Sequence, residues 1–150
     1  MRKIKMRFAR VVAIYGFAIM TSSCGYNSTC QSYREFAGTN SNLLHVISWS
    51  DENIFSISNH DDFTFARRRI GLGESVLLSR EPPFLRALAD GSDVRVIFTN
   101  SGVPEAVYFG AHPRYGIVVV KDPKESNTLI RRWQLEPISD RIYLYCYTDR

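Results

Sequence analysis

From residue 43 onward the chain reads as short apolar segments interrupted by turn residues at a spacing of about ten, and that rhythm restricts the fold more than any other feature. Residues 43–49 (LLHVISW) are β-branched and aromatic, and 53–58 (NIFSIS) alternate. Asp51-Glu52 and 59–62 (NHDD) supply the turns between them. Residues 63–70 place Phe63 and Phe65 on one strand face, before Gly71-Leu72-Gly73 breaks the run. Segments 75–79, 94–99, 105–109, 115–121, 128–135 and 141–147 continue the series. Asn100-Ser101-Gly102, Gly110-Ala111-His112-Pro113 and Asp122-Pro123 separate several of these segments. Evenly spaced short strands of this kind predict an all-β, antiparallel β-sandwich of immunoglobulin-like type. One short helix is expected in 82–89, which opens on Pro82-Pro83 and ends at Asp90-Gly91.

The 150 residues suffice for one domain, expected over 43–150. Apolar residues make up 45% and charged residues 23%, which excludes a wholly disordered chain. The net charge of +4 suggests a nucleic-acid binder until the charges are located. Five of the 19 basic residues (Arg2, Lys3, Lys5, Arg7 and Arg10) lie in 1–23, where there is no acid. The other 14 face 15 acidic residues, so the domain has no general attraction for nucleic acid.

That basic start precedes ten unbroken apolar residues, 11–20 (VVAIYGFAIM), and then Thr21-Ser22-Ser23. A transmembrane helix needs ~20 apolar residues. The layout predicts a signal peptide over 1–23. Cys24 follows the small residues, and Ser22-Ser23-Cys24 resembles the lipobox of bacterial lipoproteins. The resemblance implies a mature protein that begins at Cys24 and carries lipid there. It also implies retention at the outer membrane, because Gly25 stands where Asp would hold such a protein at the inner one. Residues 24–42, rich in Ser, Thr, Asn and Gly, then read as a flexible linker of ~20–25 Å.

The chain has three cysteines, an awkward count for an exported protein. Lipid at Cys24 leaves Cys30 and Cys146 as an even pair, expected to form a disulfide in an oxidising compartment.

Chemical motifs are sparse. The sequence holds no Gly-x-Ser-x-Gly elbow, and 69–75 lacks the Lys-Ser or Lys-Thr ending of a phosphate loop. His45, His60 and His112 are the available imidazoles. His60-Asp61-Asp62 has metal-ligand residue types, but adjacent turn residues point apart, and the stretch reads as a solvated turn. Arg67 and Arg69 share one strand face, with Arg68 on the other. Tyr143, Tyr145 and Tyr147 alternate opposite Cys146, a row of tyrosines of the kind found at protein interfaces. Arg67, Arg69, Tyr143 and Tyr147 are therefore the partner-binding candidates. No catalytic residue, cofactor, metal or small-molecule substrate is expected.

Four pieces carry a family resemblance. Residues 51–57 (DENIFSI) resemble an opening strand pair, and 108–111 (YFGA) a Tyr-Gly turn. Residues 115–120 (YGIVVV) resemble the next strand, and Tyr145-Cys146 an aromatic-Cys ending. Together with the lipobox-like start, the chain resembles small periplasmic immunity lipoproteins that protect bacteria from toxins of type VI secretion systems. The resemblance implies a non-enzymatic, membrane-anchored protein that binds and neutralises a toxin. The alternatives are an inhibitor lipoprotein of the lysozyme-blocking kind and a structural envelope lipoprotein.

Overall fold

The computed structural model describes residues 24–65, 73–78, 82–84, 93–112 and 114–147. The expected leader over 1–23, Arg67, Arg69 and most of the helix expected in 82–89 lie outside them.

Two helices open the described residues: α1 (Cys24–Ala37) and α2 (Asn40–Ser50). This corrects two expectations, since 24–42 is not a free linker and 43–49 is not a strand. The helical period explains both. Cys30, Tyr33 and Ala37 of α1 are buried at spacings of three and four. The buried series Val46, Ser50 and Ile54 continues through α2 and beyond. The Asn42 side-chain amide caps the end of α1 by donating to the Phe36 carbonyl at 3.0 Å. Residues Asp51–Phe55, expected as turn and strand, form a π-helical turn in which the Ser56 amide donates to the Asp51 carbonyl. The wider turn sets Ile54 and Phe55 both inward.

The rest is built on one antiparallel sheet of six strands, in the order β1-β2-β3-β4-β6-β5. These are β1 (Glu74–Ser75), β2 (Asp93–Phe98), β3 (Pro104–His112), β4 (Tyr115–Val120), β5 (Glu136–Pro137) and β6 (Ile142–Cys146). Residues 128–135, expected as a strand, instead contribute to a helix, α3 (Asn127–Arg132). The spacing of Leu129 and Trp133 by four suits that helix and its following turn. Among the described residues there is one sheet and no second one facing it. A mostly-β fold fits, and the described residues do not show a sandwich.

Helices cover both sheet faces. On one, Val94, Val96, Val107, Phe109, Ile117 and Leu144 pack with Tyr33, Phe36, Val46 and Ile54. On the other, Ile97, Tyr108, Val118, Tyr143 and Tyr145 pack with Leu129, Leu135 and Trp133. Burial on both faces is why the central strands are apolar almost throughout.

A disulfide and two ion pairs among the described residues help tie α1 and the π-helical turn to the sheet. Cys30 and Cys146 form the expected disulfide, with Cα atoms 6.1 Å apart and a sequence separation of 116. One turn further along α1, Arg34 pairs with Glu136 of β5 at 2.7 Å. Arg141 holds Asp51 by two bonds of 2.6 and 3.0 Å and also donates through Nε to the Val120 carbonyl. Among the described residues no helix is long and apolar enough to cross a membrane.

Candidate functional site

A cleft of about 690 Å³ opens where the C-terminal end of β2 meets β1, the turn at His60–Asp62 and α3. Its wall begins at Gly73, whose φ is +93°. A Cβ at Gly73 would lie 2.5 Å from the Val96 carbonyl oxygen, so only glycine lets this backbone press against β2. His60, Glu74, Thr99, Glu105, Arg132 and Trp133 give the cleft its polar and aromatic lining.

His60 is held in place on several sides. Its ring stacks on Phe65 at 4.8 Å and meets Phe98 edge-on at 4.7 Å. Nε2 lies 3.0 Å from the Glu74 carboxylate, and Nδ1 lies 3.4 Å from Asp61. The hydrogen bond to Glu74 is the main influence raising the His60 pKa, and Asp61 adds to it. Both ring nitrogens therefore face carboxylates and not a hydroxyl that an imidazole base might activate. Asp62 is exposed at the end of the turn. Among the described residues no group of three His, Cys, Asp or Glu is placed to hold a metal.

The pair has a pH signature. A histidine whose folded pKa lies above its unfolded value of 6.5 adds stability below pH 6.5, and this contribution disappears as pH rises through the higher folded pKa. Glu74→Gln should flatten the dependence of melting temperature on pH above about 6.5. Thermal scans at closely spaced pH values check this. An unchanged profile would mean that the bond does not bias His60.

Across the cleft, burial pushes the Glu105 carboxyl above the ordinary range. Among the described residues Glu105 forms no ion pair. Trp133, also in the cleft lining, is half-buried and packs on Tyr145 at 5.8 Å.

The partner-binding candidates from the sequence separate. Tyr147 is 48% exposed just past β6. Tyr143 is 8% exposed and packs in the cluster beneath α3, so the tyrosine row is not an open surface. Leu44 and Leu77 are more exposed than Tyr147, and Leu44 lines a second groove with Leu43, Ile47 and Arg141. His45, expected in a strand, is exposed on α2. His112 closes β3. Sequence reasoning passed over Glu74, Glu105 and Trp133, because each sits in an ordinary local pattern and only the tertiary fold brings them together.

No protein-family profile matches this sequence, and comparison with curated proteins and with solved structures found no match.

Proposed function

We propose that this chain is exported by its N-terminal segment, anchored through lipid on Cys24, and neutralises a protein toxin in the periplasm by occupying it. The observation that carries the reading is the Cys30–Cys146 bridge. Structural disulfides persist in oxidising compartments, and this one accounts for two of the three cysteines. The remaining cysteine, Cys24, directly follows the basic, apolar and small residues that resemble a lipoprotein leader. Outer-membrane placement rests on Gly25 alone.

Binding, and not chemistry, is the mode that the described side chains support. The His60 imidazole is engaged by carboxylates. The cleft combines an aromatic ring with charged groups of both signs, as protein recognition surfaces do. Tyr147 and the Leu44 groove offer further contact area.

Expression of the full chain in a Gram-negative host, followed by fractionation and intact mass measurement, tests export and anchoring. The expected product begins at Cys24, carries acyl chains and stays with the membranes. Cys24→Ala should release it into the soluble periplasm, because several acyl chains at ~0.8 kcal/mol per buried methylene supply the anchoring. An unmodified soluble wild-type product would contradict this reading.

A further inference from the structure

Arg95 stands in the middle of β2 and is 3% exposed. Directly opposite it in the register is Ser75 of β1, 5% exposed, and on its other side is Tyr108 of β3. The guanidinium group sits 5.9 Å over the Tyr108 ring. Its Nη2 reaches Asp93 only at 3.4 Å. Among the described residues, Nε and Nη1 find no hydrogen-bond acceptor and the Ser75 hydroxyl finds no partner. A buried guanidinium group with two of its three nitrogens unsatisfied is an arrangement that folded chains rarely keep without a reason.

The position of the pair suggests the reason. Gly73 and Glu74 of one segment, and Val96 and Ile97 of the other, line the cleft. Ser75 and Arg95 are the next residues inward along those same two segments. Ile97, two residues along β2 from Arg95 and therefore on the same strand face, lines the cleft and packs on the α3 side.

We propose that Arg95 and Ser75 form a receptor for a carboxylate that enters through the cleft. Arginine has donors and no acceptor, so the ligand must be an acceptor, and a charged one best offsets the buried cation. A single negative charge fits better than a dianionic phosphate. Asp93 already opposes Arg95 in part, and Glu74 and Glu105 near the entrance repel a second charge. The ligand oxygens accept from Nε and Nη1, and the Ser75 hydroxyl donates to the same group. The site does not depend on the toxin reading. Only the naming of a partner's Asp or Glu side chain as the source rests on that reading.

Acetate is the probe, with chloride at equal ionic strength as the control. Acetate should raise the melting temperature of the full chain by about 2–4 °C beyond chloride. It should also shift one arginine Nε–H resonance, assigned to Arg95 by its loss in Arg95→Met. That variant should show no acetate-specific rise, and without acetate it should melt above the wild type, because an apolar side chain relieves the unsatisfied charge. Ser75→Ala should weaken acetate binding about tenfold, the loss of one charge-assisted hydrogen bond. If Arg95→Met does not fold, the wild-type resonance and Ser75→Ala still decide the matter. A capped Ala-Glu-Ala peptide that binds more tightly than acetate identifies a protein side chain as the source, whereas equal binding identifies a free carboxylate. Acetate and chloride acting alike on the wild type, with no Nε–H shift, would overturn the proposal. So would an Arg95→Met variant that responds to acetate as the wild type does.

Discussion

Cys146→Ser is expected to lower stability by ~2–5 kcal/mol, and the melting temperature by roughly 10 °C. The bridge closes a loop with a sequence separation of 116. Chain-entropy arguments assign ~4–5 kcal/mol to a loop of that length. The location of the bridge adds a structural consequence. It pins α1 to the far end of β6, where Tyr33 packs with its ring 6.1 Å from that of Tyr115. Without the bond, α1 should exchange its amide hydrogens sooner than the central strands, because it loses its covalent tie to the sheet while the Arg34–Glu136 pair that remains is exposed. Wild type treated with a reductant should match the variant. A melting temperature within about 2 °C of the bonded protein would show that packing alone holds α1.

Tyr108→Ala should be comparably severe, at ~3–5 kcal/mol. Tyr108 is fully buried at the centre of the α3-side cluster. Its ring fills the space that two glycines leave open. A Cβ at Gly110 would meet its Cζ at 2.6 Å, and one at Gly116 would meet its Cε2 at 2.7 Å. Its hydroxyl donates to the Tyr115 carbonyl at 2.6 Å, bracing the β3–β4 connection. Burial pushes its phenol well above the ordinary range, so the group stays protonated and can donate at every physiological pH. Removing the ring leaves a cavity against two backbones that carry no side chain to fill it. Tyr108→Phe keeps the ring and loses the bond, and should cost about 1–2 kcal/mol. Chemical denaturation of the three proteins gives the comparison. A Tyr108→Phe loss as large as that of Tyr108→Ala would place the effect in the hydroxyl and not in packing.

Legibility in the sequence varied with the number of faces each segment buries. Strands β2, β3, β4 and β6 were readable because β-branched and aromatic residues run through them between clear turns. The same runs misled at the level of architecture. A strand buried on both faces, such as β4 with Val118, Val119 and Val120 all at 0% exposure, does not reveal what covers it. Helices cover this sheet, and their sequences carried β-like residues. In 43–49, Leu43, Val46 and Ile47 also fit a spacing of three and four, and that period was the one realised. In 24–42 the polar composition concealed Cys30, Tyr33, Phe36 and Ala37, four buried residues on one helical side. The disulfide was legible from the cysteine count once the lipobox-like start set Cys24 aside. The cleft was not, because Gly73, Glu105 and Trp133 are far apart in sequence. Arg95 did leave a trace: a lone cation between Val94 and Val96 in a strand otherwise fit for the core.

The proposed role is protection of a cell by binding a toxin outside the cytoplasm. The most direct measurement is survival of a bacterial strain lacking this gene when grown in contact with its toxin-delivering parent. The account predicts that the mutant is killed and that the full chain restores survival. A version without residues 1–23, confined to the cytoplasm, should not. Equal survival of mutant and parent, or rescue by the cytoplasmic version, would contradict it.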